Sequence, residues 1–273
     1  MGVRLSSAQG VIMTICTFAS SSSGNCTLVS QGTSHLLIDA GISLKRIREN
    51  LKSLDLTPDD LTGVLVTHEH SDHIGGIKML VKYHKTPIFT SFGAEDSMCS
   101  HIPEVAPYLS GFEVGTEFEL GNITVSSFNT PHDASQSVGF RLKADDRTLA
   151  YATDLGHVSE EVFTSMCGAD IAIIESNHDK EMLRTGPYPM FLKRRVSSKH
   201  GHLSNSDCGR FAVTLAQSGT RYIQLSHLSN ENNTPKLASN TVGEALSKYD
   251  ICVGRDIEVD VAPLFSASRV YEL

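Results

Sequence analysis

An α/β fold is predicted by three features of the sequence. Six strand-like apolar runs each end at once on a polar residue: HLLIDAG (35–41), GVLVTH (63–68), ITVSSFNTPH (123–132), TLAYATD (148–154), IAIIES (171–176) and YIQLSH (222–227). Stretches with 3.6-residue apolar spacing lie between several of them. The composition, 40% hydrophobic and 20% charged with 21 glycines in 273 residues, is that of an ordinary folded chain long enough for a substantial core.

Each element follows from its local pattern. Leu44, Ile47, Leu51 and Leu54 keep helical spacing behind Ser43, a residue type suited to an N-cap. Ile74, Ile77 and Val81 do the same behind Asp72, and Phe211, Leu215 and Ala216 share a face behind Ser204 and Asn205. TVSSF alternates like a half-buried strand, and RLKADDRTLAY reads as a hairpin around Asp145 and Asp146. SSSSGN (20–25) is expected to be a flexible turn rather than a phosphate cradle, because no GxxxxGK pattern accompanies it. Polar residues at the carboxyl ends of strands converge on one sheet edge, where α/β proteins bind ligands.

The boundaries follow from composition. Residues 13–273 are expected to form one domain, with 1–12 (MGVRLSSAQGVI) a dispensable extension. The apolar run VIMTICTFA flows into SSSSGN and CTLVS, which reads as strand, turn, strand and not as a secretion signal. No apolar run reaches the length of a membrane span. Six scattered cysteines without a CxxC pair point to reduced thiols in a cytoplasm. A net charge of −8 argues against broad nonspecific nucleic-acid binding and leaves room for a local basic patch.

The chemistry gathers in HEHSDH (68–73). His68 and His70 lie two apart, so at an extended strand end both imidazoles can reach one cation. Asp72 and His73 fall where the chain turns, and point toward a neighbouring position. His132, Asp154 and His227 stand at other strand ends. Seven such donors are too many for one tetrahedral ion and suit two ions bridged by a carboxylate, roughly 3.5–4 Å apart. A purely structural reading of the group is weak, because buried charge is too costly to keep without a ligand.

These residues, with the early Asp39, resemble the signature of the metallo-β-lactamase fold superfamily. The resemblance implies a four-layer αββα sandwich. It assigns His68, His70 and His132 to one ion and Asp72, His73 and His227 to the other, with Asp154 bridging and Asp39 hydrogen-bonded to a ligand histidine. FASSSSGNCTLV, LLIDAGIS, THEHSDHIGG, TPHDA, ATDLGH, ESNHD, PYPMFLKRRV, GHLSN and LSHLSNENNTP together look like the YycJ/WalJ/VicX family of bacterial proteins, from about residue 14 to about residue 240. That family is regarded as cytoplasmic metal-dependent nucleases with 5′-to-3′ exonuclease action on DNA. An aspartate at 154, where β-lactamases carry cysteine, disfavours antibiotic hydrolysis. His70, where di-iron members carry glutamate, favours hydrolysis over redox chemistry. The 73 positions between Asp154 and His227 are too few for a large cap domain.

Beyond the ligands, His202 in KHGHLSN resembles the histidine of transfer-RNA-processing relatives, and Glu175 its carboxylate partner. With Asp72 they form the candidate catalytic set: a bridging hydroxide attacks phosphorus and the His202 imidazolium protonates the departing oxygen. A hydrogen-bonded surface histidine is the competing reading of His202. Lys193, Arg194, Arg195 and Lys199, with no acid among them, are candidates for holding phosphates, and His178 for lining the site; a charge run is ordinarily a solvated face. The expectation is a di-metal phosphodiesterase acting on nucleic acid, with zinc, manganese or iron. The alternatives are a hydrolase of a small phosphodiester or thioester, and a metal-bound regulatory partner of a two-component signalling system. Sequence leaves open the metal, DNA against RNA, the polarity and endo or exo mode of digestion, and the oligomeric state.

Overall fold

The computed structural model describes residues 12–273, so the expected extension lies outside the described residues except for the exposed Ile12. In chain order the elements begin with β1 (Thr14–Ser21), β2 (Gly24–Gln31), β3 (Ser34–Ile38), α1 (Leu44–Lys52), β4 (Gly63–Leu65), α2 (Ser71–Ile74), α3 (Ile77–His84), β5 (Ile88–Ser91), α4 (Glu95–His101) and β6 (Leu109–Phe112). They continue with β7 (Glu117–Leu120), β8 (Ile123–Asn129), β9 (Val138–Ala144), β10 (Arg147–Ala152), α5 (Glu160–Met166), β11 (Ile171–Glu175), α6 (Lys180–Thr185) and α7 (Met190–Val196). The last are α8 (Asn205–Gln217), β12 (Tyr222–Ser226), α9 (Pro235–Ser247), β13 (Glu258–Val261) and β14 (Tyr271–Glu272). Two compact units emerge. The first runs to Ser126 and takes in Ala134–Gln136 and Phe265–Leu273; the second comprises Ser127–Asp133 and Ser137–Leu264.

The first unit holds a mixed sheet of order β14-β1-β2-β3-β4-β5-β6. Its members β1 to β3 are antiparallel, and β3 to β6 are parallel. Ser43 caps α1 through an Oγ that accepts from the Arg46 N–H, and Leu44, Ile47 and Leu51 turn inward onto a cluster with Leu28, Leu37 and Val64. Burying each such side chain contributes about 1.5–3 kcal/mol. The expected helix behind Asp72 is broken in two. His70 occupies the N-cap position of α2, Asp72 sits inside its first turn, and α3 restarts after Gly76. The break has a physical cause: the Gly76 N–H donates to Ala40 O at 2.7 Å, bringing residues 40–41 hard against the turn.

In the second unit the order is β13-β12-β11-β10-β9-β8. Strands β10 to β13 are parallel, and β9 returns antiparallel to β10 through the expected hairpin, with Asp145 in the left-handed region at φ 50°. Ser204 caps α8 by accepting from the Asp207 N–H. Phe211 and Leu215 of α8 pack in one cluster with Ala238, Val242 and Leu246 of α9.

Parallel register aligns strand ends within each unit. Ile38 pairs with Leu65, so Asp39 and Thr67 leave the first sheet at one edge. Ala152 pairs with Ile174 and Glu175 with Ser226, so Asp154, Glu175 and His227 share an edge of the second. Among the described residues no helix is long and apolar enough to cross a membrane, and all six cysteines are free, three of them buried.

Candidate metal centre

The first unit builds its donors on a buried carboxylate. Asp39 follows β3 with φ 60°, a left-handed conformation that an L side chain adopts at a cost of roughly 1–2 kcal/mol. Its Oδ1 accepts from the Thr67 N–H at 2.9 Å, and its Oδ2 accepts from His73 Nδ1 at 2.7 Å. The Thr67 hydroxyl donates to Asp39 at 3.0 Å and accepts from His68 Nδ1 at 3.0 Å. Both imidazoles are thereby fixed with Nδ1 protonated, leaving the lone pair on Nε2. His68 Nε2 faces His70 Nδ1 at 3.0 Å, and His73 Nε2 faces Asp72 Oδ2 at 3.4 Å.

Three residues here were not anticipated. Thr67 reads as an ordinary strand residue. Asn25, in the turn expected to be flexible, is fully buried, and its amide lies 3.2 Å from His73 Nε2 and 3.4 Å from Asp72 Oδ2. Glu69 accepts from the N–H and hydroxyl of Ser135 at 2.9 and 2.7 Å, tying down 134–136. The glycine of LLIDAG marks a close approach: a Cβ on Gly41 would stand 1.6 Å from the Asp72 carbonyl oxygen.

The second unit repeats the device. Glu175, the fully buried last residue of β11, accepts at Oε1 from the Nδ1 of both His202 and His227, each at 2.8 Å. Its Oε2 accepts from the backbone N–H groups of Leu155 and Leu203 at 2.8 and 2.9 Å. Burial alone would push this carboxyl up. The charge of His202 and the two imidazole hydrogen bonds outweigh that and hold it down at about 2. Burial opposes protonation of His202 as well, but Glu175 raises its pKa. His132 donates Nδ1–H to Gly201 O at 3.2 Å, and burial pushes its pKa down.

Asp154 and His227 are both left-handed, at φ 57° and 54°. An asparagine network, invisible to pattern reading, supports the second. Asn177 Nδ2 donates to His227 O at 2.9 Å, and Asn233 Nδ2 donates to the carbonyls of Ser176 and Asn177. Strained backbone of this kind persists only where its surroundings determine it, and it clusters at functional sites.

These donors fit divalent cations. In each of His68, His73, His132 and His227 a fixed Nδ1–H leaves Nε2 as an electron-pair donor. Nε2 of His132 and of His227 stand 3.7 and 3.6 Å from Asp154 Oδ1, as His73 Nε2 stands near Asp72. Lone pair against carboxylate repels unless a cation lies between them. Asp154, Glu175, His202 and His227 also form a set with one donor atom from each within 4.8 Å of the others.

The basic run is divided by its helix. Lys193 and Arg194 line a cavity of about 510 Å³, together with His178 and His202. Arg195 lies on another face of α7 and closes on Asp133 through Nε and a second nitrogen, at 2.6 and 3.0 Å. Lys199 is exposed and away from the cavity lining, while its carbonyl accepts from His157.

Fold and donors together define a metal-binding protein of the metallo-β-lactamase fold. The metallo-beta-lactamase fold protein YhfI from Bacillus subtilis superposes with a TM-score of 0.71 at 17% identity, covering 96% of this chain and 100% of that one. The model of the Beta-lactamase superfamily domain matches residues 34–227. Within that superfamily the chain belongs to the YycJ/WalJ family. It is 36% identical to exodeoxyribonuclease YycJ of Bacillus anthracis, over 88% of this chain and 92% of that protein. It is also 36% identical to exodeoxyribonuclease WalJ of Streptococcus pneumoniae, over 90% and 93%.

Proposed function

We propose that this chain is a di-metal phosphodiesterase that removes nucleotides from a DNA end, in the 5′-to-3′ direction. The observation that carries the reading is the set of imidazoles locked with Nε2 as electron-pair donor. The 36% identity to proteins named exodeoxyribonucleases supports the DNA substrate. On this reading His68, His70 and His132 would hold one ion and Asp72, His73 and His227 the other, with Asp154 available to both. When bound, two divalent ions generate a nucleophile from water at neutral pH and offset charge on the phosphate oxygens. Zinc, manganese and iron all suit imidazole and carboxylate donors.

The chain's own groups then divide the work. Asp39 and Thr67 keep His73 and His68 in the donating tautomer. His202, with Nδ1 held by Glu175, presents Nε2 to the departing oxygen and supplies its proton. Glu175 touches no substrate; it positions His202 and His227 together. Lys193 and Arg194 hold phosphates beside the scissile bond, with Lys199 free to meet a longer strand. Six free thiols among the described residues agree with a reducing cytoplasm.

The test is metal analysis of the purified protein joined to digestion of 5′- and 3′-labelled DNA and RNA with Mn²⁺ or Zn²⁺. Duplex DNA should be shortened from its 5′ end, and a His68→Ala variant should leave it intact. Digestion that survives the substitution would overturn the reading. A phosphodiester dye hydrolysed rapidly beside intact DNA would transfer the site to small substrates. Normal cellular behaviour of a metal-free variant would support the regulatory role beside a two-component system.

A further inference from the structure

The cavity next to His202 is built wholly from the second unit, and its wall has three chemically distinct parts. Its size falls within the ~300–1,000 Å³ of pockets that enclose small organic ligands. Helix α7 and its C-cap contribute Met190, Lys193, Arg194 and Ser197, spaced i, i+3, i+4 and i+7, so one helix face looks into it. Leu183 of α6 and Met190 form the apolar part, and Met190 is left 63% exposed.

Cations form the second part, and most are already engaged. Arg184 closes on Glu181, Lys180 on Asp207 at 3.0 Å, and Lys193 Nζ donates to Arg184 O at 2.8 Å. Arg194 has no ion pair among the described residues and is exposed. The third part is His178. Only 2% of it is exposed, and its Nδ1 has no hydrogen-bond partner among the described residues. Burial pushes its pKa down to about 4, so it offers a neutral imidazole edge. A buried polar edge without a partner costs free energy until a ligand satisfies it.

An apolar wall, a free guanidinium and a neutral hydrogen-bonding edge are the complement of one nucleotide. We infer that this cavity is a mononucleotide site that receives the terminal nucleotide of the strand. The base lies against Leu183 and Met190 with a polar edge toward His178, and the phosphate lies toward Arg194 and Lys193. The inference rests on the proposed nuclease function and deepens it. A pocket for one nucleotide, sharing His202 with the donor set, selects a strand end over an internal bond.

The experiment reads binding without turnover. The full chain, freed of metal with a chelator, is titrated with deoxyadenosine 5′-monophosphate by calorimetry, and with inorganic phosphate alone. Saturable one-to-one binding of the nucleotide is expected, with phosphate roughly tenfold weaker or worse. Arg194→Ala should weaken it by roughly tenfold or more, with partial recovery in Arg194→Lys. His178→Phe, checked by its melting curve, should weaken it comparably, whereas His68→Ala should bind as the parent does. Absence of saturable binding, or equal affinity in Arg194→Ala, would overturn the inference. DNA digestion by a protein that ignores the nucleotide sinks the pocket and leaves the nuclease. Nucleotide binding without digestion does the reverse.

Discussion

His202 and His227 are held by a single oxygen atom. Glu175 Oε1 accepts from both Nδ1 positions at 2.8 Å, and the two rings stack with centroids 5.3 Å apart. A candidate proton donor and a candidate metal ligand therefore cannot be oriented independently.

Glu175→Gln tests this coupling. An amide supplies one acceptor and one donor where four N–H groups need acceptors, so in either orientation a donor meets a donor. The substitution should cost roughly 10–100-fold in metal affinity and activity, and about 1–3 kcal/mol in stability. Metal retention at fixed free metal, turnover and melting temperature are the measurements. Wild-type metal affinity in the variant would show that the shared oxygen does not orient His227.

Gly41→Ala should act on the candidate metal donors through the backbone of Asp72. The added methyl would meet the Asp72 carbonyl oxygen at 1.6 Å, and backbone cannot yield as a flexible side chain can. A loss of about 3 kcal/mol is expected, a fall in melting temperature of roughly 6–12 °C, with metal uptake impaired. A variant that melts and binds metal like the parent would mean that the turn at 70–76 moves aside freely.

Much of this was legible in the sequence, for reasons that differ by residue. Helix α1 announced itself through Ser43 and the spacing of Leu44, Ile47 and Leu51, and the donors announced themselves as polar residues closing apolar runs. The family resemblance implied that Asp39 bonds a histidine of this group, and its carboxylate accepts from His73. What escaped depends on three-dimensional proximity. Asn25 lies 48 positions from His73, and Asn233 lies 56 from Asn177, so no local pattern connects them. Arg195 shares a charge run with Arg194, and only the helix rotation separates their roles. The left-handed backbone at Asp39, Asp154 and His227 leaves no mark on a sequence read alone.

That backbone gives Asp154 a testable signature. Glycine adopts φ 57° without a Cβ penalty, while alanine retains it. Asp154→Gly and Asp154→Ala should both be inactive, because both lose the carboxylate proposed to be shared by the two ions. In chelator, however, the glycine variant should be more stable than the alanine variant by about 1 kcal/mol. Melting curves of the two metal-free variants decide it, and equal stability would remove the strain argument.

His178 predicts a pH dependence of stability. Its pKa is depressed from 6.5 to about 4 in the folded state, so the unfolded chain binds the proton more tightly. Stability from this group is present above pH 6.5 and is lost as pH falls toward 4. Between pH 7 and pH 4.5 the loss should be about 2 kcal/mol. In His178→Gln that part of the acid destabilisation should vanish, as read from denaturant titrations at the two values. An unchanged difference would place a proton-accepting partner beside the imidazole.

The two arginines of the basic run should separate in their response to salt. Arg195 spends its guanidinium on Asp133, whereas Arg194 carries an uncommitted charge at the cavity. A contact to phosphate releases counterions, so removing it lowers the slope of log affinity against log salt by about 1. Placed in a His68→Ala background that spares the DNA, Arg194→Ala should show that reduction. Arg195→Ala should show less than about half of it, because its charge is already neutralised. Fluorescence anisotropy on labelled DNA from 50 to 200 mM salt supplies both slopes. Equal reductions would mean that DNA pulls Arg195 away from Asp133, and that α7 meets the strand with more than one face.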